Sequence, residues 1–560
     1  MIVGLDMGGT HIDGVIIKNG KIINTVKKPT DKDNLFQSIW TTLKELLSEH
    51  DKSEIQRINL STTISTNAIV ENKISSVGMI IQSGPGLNHD FLACGDENVF
   101  ISGYVDHRGK VVEPLDFVEI DKAINLFQKN NIESYGVVTK FSTRNPSHEL
   151  KIGEILKKEK PSQITMGHTM SGKLNFPRRV FTSYLNSAIH NTFRDFSHSI
   201  KKSLDKEGIN APLFILKADG GTMNISTAEK KPVETILSGP AASFMGMNGM
   251  LSTDKDAVLL DIGGTTTDIF FLADGVPLFE PLGIKIDRYK TLVRAIYSVS
   301  IGLGGDSSIG VEKGKINIGP SRKGYPYAFG GPKPTPTDAM IVLGLMAKGD
   351  RKKAYESMEI LGKKLSLSPI DTSKLILETM GNIIQNKVNE LLDEINSHPV
   401  YTVKELLHGK KIEPKLINII GGPAKALAPI LKEKLNLPCY YPKNYHVANA
   451  VGAALAKPTT EITMLADTSR GIVSVPELGI YEKIRKNYNL NFARKRALQL
   501  LEESAVSMGA SKDEVETEIV DESSFNMVKG FYTTGKNIRI KAQIKPGLIH
   551  ELRGDKYDEG

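Results

Sequence analysis

One short pattern, an aspartate followed by a Gly-Gly-Thr turn, occurs twice in the chain. The first copy is Asp6-Met7-Gly8-Gly9-Thr10, and the second is Asp261-Ile262-Gly263-Gly264-Thr265. Paired glycines let backbone N–H groups approach an anion with no Cβ in the way, and the threonine hydroxyl adds a donor. The neighbouring carboxylate cannot bind phosphate but can hold Mg²⁺, directly or through water. The sequence therefore predicts two corners that grip one polyphosphate with a metal ion between them.

Both corners open the same kind of hairpin. In each copy an apolar strand precedes the aspartate, and the returning strand ends in a two-residue turn, Asn19-Gly20 or Asp274-Gly275. These dipeptides are strong hairpin signals because both turn positions need positive φ. The motif aspartate and the turn glycine are 14 residues apart in both copies, from 6 to 20 and from 261 to 275. A single Gly-Gly corner could be a plain tight turn, but the shared offset indicates an internal duplication.

A third glycine pair follows another apolar strand pattern. The run Leu416-Ile417-Asn418-Ile419-Ile420 leads into Gly421-Gly422, and a helical pattern begins at Ala424. Bare backbone at such a corner lets a flat heterocycle lie against the chain. The pair is also a common strand ending, but its place after the second phosphate corner favours a role in nucleotide binding.

Between and after the corners, strand patterns alternate with helical ones, which indicates an α/β fold. The patterns predict long helices over 179–204 and 372–395 and a shorter one over 424–435. From about residue 461 the chain changes to one charged helix and short hairpin patterns. We therefore expect a small appended α+β element there.

The composition is that of a globular enzyme. Of 560 residues, 40% are hydrophobic and 24% charged, which excludes a mainly disordered, collagen-like or coiled-coil chain. Lys and Arg outnumber Asp and Glu only by 71 to 64, an excess that suits a small anionic ligand and not nucleic acid. Two distant cysteines, Cys94 and Cys439, favour a reducing, cytoplasmic location without structural zinc. Because no signal-peptide pattern and no apolar window of ~18 residues occur, we expect no membrane association.

These corners resemble the motifs of the actin-like ATPase superfamily, which includes sugar kinases and heat-shock chaperones. Residues 6–10 are similar to its first phosphate motif, residues 261–265 to its second, and Gly421-Gly422 to its adenosine motif. The small-residue run 448–454 resembles its second connecting helix.

Within that superfamily the chain resembles the hydantoinase A/oxoprolinase family over roughly residues 1–460. The stretches that carry this resemblance are polar or glycine-rich and lie at 61–68, 219–223, 237–242, 301–305 and 336–339. One departure concerns the Asp-x-His that members often have before the glycine-rich loop. Tyr297 and Val299 occupy those positions, which tells against a metal site there.

The resemblance implies duplicated actin-like, ribonuclease H-like domains with an ATP cleft between two lobes. It divides the chain into an N-terminal lobe at 1–170, a second lobe at 171–460 and the small C-terminal element at 461–560. It also implies that ATP and Mg²⁺ are the cofactors.

The resemblance also implies roles for individual residues. Asp6 and Asp261 would be catalytic and would organise Mg²⁺. Gly421 and Gly422 would flank adenine. The residues that would hold phosphates are Gly8, Gly9, Thr10, Gly263, Gly264, Thr265 and Thr266. Those expected on the substrate side, with interdomain hydrogen bonding as an equal alternative, are Thr63, Thr66, Asn67 and Asp219.

The function implied is an ATP-dependent hydrolase that phosphorylates and so activates a cyclic amide or related carbonyl compound. Two alternatives use the same fold: an ATP-driven reactivase or chaperone for a partner enzyme, and a small-molecule kinase. Many members of the family work with a second catalytic subunit, so we expect a hydantoinase B-like partner and an oligomer.

Overall fold

The computed structural model describes residues 1–9, 11–31, 34–397, 411–485, 487–512, 515–550, 552 and 558–559. Up to residue 250 the strands are β1 (Ile2–Met7), β2 (His11–Lys18), β3 (Lys21–Pro29), β4 (Arg57–Thr62), β5 (Val77–Gln82), β6 (Glu97–Phe100), β7 (Tyr104–Val105), β8 (Val111–Glu113), β9 (Ser134–Thr139), β10 (Gln163–Met166), β11 (Leu213–Leu216) and β12 (Thr222–Asn224). The helices of this part are α1 (Leu35–Leu46), α2 (Ile64–Val70), α3 (Phe117–Lys129), α4 (Ser147–Leu156), α5 (Phe176–Ala188), α6 (His190–Lys206), α7 (Ile225–Lys230) and α8 (Ser238–Met250).

Beyond residue 250, strands and helices alternate again up to about residue 460, and the C-terminal element follows. Its strands are β13 (Ala257–Ile262), β14 (Thr267–Ala273), β15 (Val276–Pro277), β16 (Lys285–Ile286), β17 (Tyr289–Lys290), β18 (Val299–Ile301), β19 (Ile309–Glu312), β20 (Lys315–Ile318), β21 (Leu416–Ile420), β22 (Cys439–Tyr441), β23 (Glu461–Asp467), β24 (Ile472–Val475), β25 (Ile480–Lys483), β26 (Thr517–Lys529), β27 (Tyr532–Ile544) and β28 (Asp558–Glu559). Its helices are α9 (Pro336–Val342), α10 (Arg351–Leu365), α11 (Pro369–Ser397), α12 (Ala424–Leu435), α13 (Ala448–Leu455) and α14 (Leu490–Ser507).

Two sheets are built around the same three-stranded unit. In the first, ordered β12-β11-β4-β1-β2-β3, strand β1 is antiparallel to β2 and parallel to β4. In the second, ordered β15-β14-β13-β21-β22-β28, strand β13 is antiparallel to β14 and parallel to β21. Both predicted hairpin turns have positive φ at both positions, 54° and 72° at Asn19-Gly20 and 48° and 75° at Asp274-Gly275. The duplication inferred from the spacing is therefore a structural one.

The first sheet contains strands from both sides of the lobe boundary predicted at residue 170. Strands β11 and β12 belong to it, although they lie beyond residue 170. A separate parallel sheet, ordered β10-β9-β5-β6, fills the chain between 77 and 166. The change from one corner-bearing sheet to the other thus falls near residue 250, and the division at 170 remains a prediction.

Helices α8 and α13 pack against each other with their backbones in close contact. A Cβ on Gly246 would lie 2.0 Å from the Ala448 carbonyl oxygen, and one on Gly452 would lie 2.0 Å from that of Ala242. No side chain fits in this space, so glycine is required at both positions. The close approach brings the first turn of α13 beside both corner-bearing sheets.

The C-terminal element is an antiparallel sheet, ordered β25-β24-β23-β27-β26, with α14 packed on it. The hairpin patterns of the tail form one hairpin, β26–β27, whose strands have 13 residues each. None of the helices in the described ranges has both the length and the apolar character needed to cross a bilayer.

Candidate functional site

The two Gly-Gly corners have the same local structure. The Gly8 N–H donates to the His11 carbonyl oxygen at 3.0 Å, and the Gly263 N–H donates to that of Thr266 at 2.9 Å. Each turn therefore joins its aspartate-bearing strand to the returning strand in the same way. Thr10 lies outside the described residues, so its predicted phosphate contact stays a prediction.

Asp6 is buried at the end of β1, where the residue is 8% exposed. Burial, followed by the nearby charge of Asp13, raises the pKa of Asp6 to about 7, while hydrogen bonds from Ser61 and Asn449 oppose this shift. The Asp6 Oδ1 atom is buried and has no hydrogen-bond partner among the described residues. A cation, or water bound to one, would satisfy that oxygen.

Asp261 occupies the corresponding place at the end of β13. Burial raises its pKa, and hydrogen bonds from Ser243 and Asn449 oppose the change. The Ser243 hydroxyl donates to Asp261 Oδ2 at 2.6 Å. The charge of Asp261 also raises the pKa of Asp6, so the two carboxylates are close enough to repel each other. Asn449, in the first turn of α13, hydrogen-bonds to both and is a site residue that the sequence analysis missed.

Two further aspartates face the predicted ones across the hairpins. Asp6 is paired in register with Asp13, and Asp261 is paired with Asp268. Asp13 forms an ion pair with Lys27 at 2.7 Å. Burial, followed by the charge of Asp261, raises the pKa of Asp268 to about 7. The signal was present in the sequence, because each second aspartate follows its motif aspartate by seven residues.

The guanidinium group of Arg322 lies near residues of both corners. Arg322 Nη2 is 2.9 Å from Asp306 Oδ2, and Arg322 Nη1 donates to the Thr265 hydroxyl at 3.4 Å. His11, next to the first corner, has its pKa lowered by burial and then by Lys27, with Arg322 contributing. Arg322 is therefore a candidate phosphate ligand near both corners.

The glycine-rich loop at 302–305 supports the second corner. The Gly305 N–H donates to the Gly263 carbonyl oxygen at 3.0 Å, and the Asp306 N–H donates to that of Gly264 at 2.6 Å. These bonds hold the corner from behind, which is the support that a preorganised anion site needs.

The third glycine pair lies directly beside Asp261. Gly421 has φ of +93°, and a Cβ there would lie 2.1 Å from the Ile262 carbonyl oxygen and 2.9 Å from Asp261 Oδ1. A Cβ on Gly422 would meet nothing within 4 Å. Gly421 is thus needed for the turn, whereas Gly422 borders open space in which a flat base could lie.

Two of the predicted substrate residues lie beside the first corner. Thr63 and Asn67 line a cavity of about 290 Å³ together with Gly8 and Gly9. Asn67 Nδ2 donates to the Thr63 hydroxyl at 3.2 Å. In contrast, the Thr66 hydroxyl accepts a hydrogen bond from the Leu237 N–H at 2.9 Å, which matches the interdomain alternative.

Asp219 lies in a different place from the other predicted substrate residues. It is buried, forms an ion pair with Lys217 at 3.1 Å and accepts hydrogen bonds from Thr459 and the Gly221 N–H. It lines a second cavity, of about 240 Å³, that shares no lining residue with the first. The structure therefore places Thr63 and Asn67 beside the first Gly-Gly corner and Asp219 in the second cavity.

The donor set of the corners fits a magnesium–nucleotide complex. Within the described ranges, no three His, Cys, Asp or Glu side chains are grouped so that they could hold a metal ion by themselves. Mg²⁺ usually keeps several waters and binds through one or two carboxylates together with phosphates. Asp6, with its unpartnered oxygen, and Asp261 are the carboxylates beside the two glycine corners that would hold such an ion.

Comparison with solved structures identifies the fold. Caprolactamase from Pseudomonas jessenii superposes with a TM-score of 0.72 at 17% identity, covering 97% of this chain and 87% of that one. A nucleotide-free acetone carboxylase gives a TM-score of 0.68 at 16% identity, covering 98% and 88%. The expected α/β fold with duplicated actin-like domains is confirmed.

Sequence relatives point the same way. Caprolactamase subunit alpha of Pseudomonas jessenii is 23% identical, over 76% of this chain and 65% of that protein. The acetophenone carboxylase gamma subunit of Aromatoleum aromaticum is 22% identical, over 69% and 61%. The alignments thus span less than two thirds of these relatives' length. The hydantoinase/oxoprolinase family model matches residues 179–462, and the model of that family's N-terminal region matches residues 2–160. With both parts matched in order, the chain belongs to the hydantoinase/oxoprolinase family.

Proposed function

We propose that this chain is the ATP-dependent component of a hydrolase that activates the carbonyl oxygen of a cyclic amide. The observation that carries the proposal is the meeting of both corners at Asn449, with a cavity opening beside Gly8 and Gly9. A nucleotide gripped there would direct its terminal phosphate toward that cavity. Relatives named caprolactamase and 5-oxoprolinase support a cyclic amide as the substrate.

Each element of the corners has a role in this proposal. Asp6 and Asp261 hold Mg²⁺, directly or through water, and Arg322 balances phosphate charge. The backbone N–H groups and hydroxyls that hold the phosphates belong to Gly8, Gly9, Thr10, Gly263, Gly264, Thr265 and Thr266. Gly421 shapes the turn at the adenine end, and Gly422 leaves room for the base.

Bound ATP supplies the phosphoryl group that makes the inert amide reactive. The amide oxygen attacks the γ-phosphorus, and ADP leaves. Water adds to the activated carbon, the ring nitrogen takes a proton and leaves, and a second water releases phosphate from the acyl carbon. One ATP and two waters thus yield ADP, phosphate and a ring-opened amino acid. Thr63 and Asn67 orient the substrate amide by hydrogen bonding.

A second subunit belongs to this proposal. The relatives compared above are named as subunits, alpha of a caprolactamase and gamma of an acetophenone carboxylase. We expect a hydantoinase B-like partner to carry the hydrolytic half of the reaction.

The test is ATP turnover with a panel of hydantoins, lactams and 5-oxoproline, with and without any co-purifying subunit. Asn67→Ala should abolish the turnover that substrate stimulates and leave ATP affinity unchanged, because a polar site discriminates through the partners it leaves unpaired.

Asn191→Ala is the matched control. Asn191 also lies half-buried on a helix and donates its Nδ2 to a hydroxyl, that of Ser75, at 3.2 Å, but it lines neither cavity. Stimulation only by a partner protein would favour a reactivase, and a stable phosphorylated product would favour a kinase.

A further inference from the structure

The second cavity, of about 240 Å³, lies where the first sheet, the loop before α8 and the C-terminal element meet. It is smaller than the ~300 Å³ lower bound typical of pockets for drug-sized ligands, so it suits a small metabolite. Both signs of charge line it. The charged residues that line it are Lys217, Asp219, Lys231, Glu234, Arg294, Glu461 and Glu477. Glu477 accepts hydrogen bonds from the backbone N–H groups of Gly172 and Thr463.

The charges deep in this cavity are already paired. Lys217 Nζ is 3.1 Å from Asp219 Oδ2. Arg294 Nη1 is 3.7 Å from Glu461 Oε2, and Lys541 Nζ is 2.9 Å from the same oxygen. Buried charges need such partners. Because these groups already pair with one another, they are not available to form ion pairs with a ligand.

Two charges retain capacity for a ligand. Glu234 is 33% exposed, and its ion-pair partner is Lys217 at the long distance of 3.8 Å. Lys231 lines the same cavity, and no carboxylate in the described part of the chain lies within ion-pair distance of its Nζ. The two residues have opposite charge and are three positions apart. Apolar residues such as Val233 and Leu292 line the same cavity.

We propose that this cavity binds a small zwitterion, such as an amino acid, whose carboxylate pairs with Lys231 and whose ammonium group pairs with Glu234. The apolar lining takes the aliphatic part of the ligand.

This ligand is coupled to the ATP site, because three residues of the segment that follows Glu234 are hydrogen-bonded to helix α2 or to the second corner. The bonds are Thr235 to Ser65 at 2.7 Å, Leu237 to Thr66 at 2.9 Å and Ser243 to Asp261 at 2.6 Å. The first two reach helix α2, which carries Asn67, and the third reaches the corner carboxylate. A ligand that forms an ion pair with Glu234 and shifts this segment therefore changes the rate of ATP turnover.

The test is calorimetry on the full chain with glycine, 5-aminovalerate, 6-aminohexanoate and glutamate. Pentanoate and pentylamine are the probes with a single charge. At least one zwitterion should bind, and the single-charge probes should bind about 10- to 100-fold more weakly, since each lacks one charged partner. Lys231→Met and Glu234→Gln should each weaken the affinity for the zwitterion by a similar factor. Lys231→Arg, which keeps the positive charge, should bind it as the native chain does. Thermal unfolding checks that the variants fold.

Asn67→Ala is the control for the other cavity and should bind the zwitterion as the native chain does. No binding by any of the four zwitterions at millimolar concentration would overturn the proposal. So would binding that survives both Lys231→Met and Glu234→Gln, or that Asn67→Ala removes. Binding that leaves the rate of ATP hydrolysis unchanged would overturn the coupling. Because calorimetry needs no turnover, the binding result is independent of the proposed substrate.

Discussion

The adjacent glycines at the adenine end allow one chemical change to be compared at two positions. In Gly421→Ala the new Cβ would lie 2.1 Å from the Ile262 carbonyl oxygen, on a backbone with φ of +93°. In Gly422→Ala the same atom would meet nothing within 4 Å. The two variants carry the same substitution at neighbouring positions. A difference in their free energies of unfolding therefore measures the cost of the close approach at Gly421.

The expected cost follows from that geometry. Forcing a non-glycine residue into this φ region costs about 1–3 kcal/mol, and overpacking against fixed backbone adds about 1–3 kcal/mol. Gly421→Ala should therefore lower the free energy of unfolding by about 2–6 kcal/mol. Gly422→Ala should stay within about 0.5 kcal/mol of the native chain.

Denaturant unfolding measures the stability of both alanine variants, and calorimetry measures their affinity for ATP. A third variant, Gly422→Val, fills the open space and should weaken ATP binding by about tenfold or more without loss of stability. Equal stability of the two alanine variants would refute the geometry argued for Gly421. Unchanged ATP affinity in Gly422→Val would show that the glycine pair only ends strand β21.

Three further results are expected. Asp261→Asn should reduce phosphate release from ATP about 10²–10³-fold in a folded protein, because it removes a charge that organises the metal ion. Normal ATP turnover in this variant would disprove the nucleotide site. Burial raises the pKa of Asp6 from 3.8 to about 7, so folded Asp6 keeps a proton that the unfolded chain loses. In EDTA, stability should fall as pH rises between these values and level off above 7, and Asp6→Asn should remove this part of the slope in denaturant titrations. Thr66→Val leaves the Leu237 N–H unpaired and should lower stability by about 1–3 kcal/mol with ATP affinity unchanged. Loss of the substrate response at full stability would instead assign Thr66 to the substrate site.

The corners were predictable because they are local. A Gly-Gly turn, a 14-residue offset and a turn dipeptide with positive φ are all properties of one hairpin. Asp13 and Asp268 could have been found by the same reasoning, because register within a hairpin follows from its turn. The family resemblance added what each corner would bind.

The remaining parts of the site depend on packing between distant segments. Asn449 meets Asp6 and Asp261 only because α8 and α13 approach each other through their glycines. The small-residue run 448–454 marked this helix in the sequence, but nothing in the run marked Asn449 itself. Asp219 belongs to a motif similar to the family's, yet the turn between β11 and β12 places it in the second cavity. The long helix expected over 179–204 is divided at Ile189 into α5 and α6, with neither glycine nor proline at the break.

The central claim is that ATP phosphorylates the amide oxygen of a cyclic substrate. Labelling that oxygen with ¹⁸O and analysing the products by mass spectrometry tests it directly, in the presence of any subunit that co-purifies. We predict that the label appears in inorganic phosphate, in proportion to the ADP and the ring-opened amino acid formed. Ring opening with unlabelled phosphate, or ADP formation with no opened product, would contradict it.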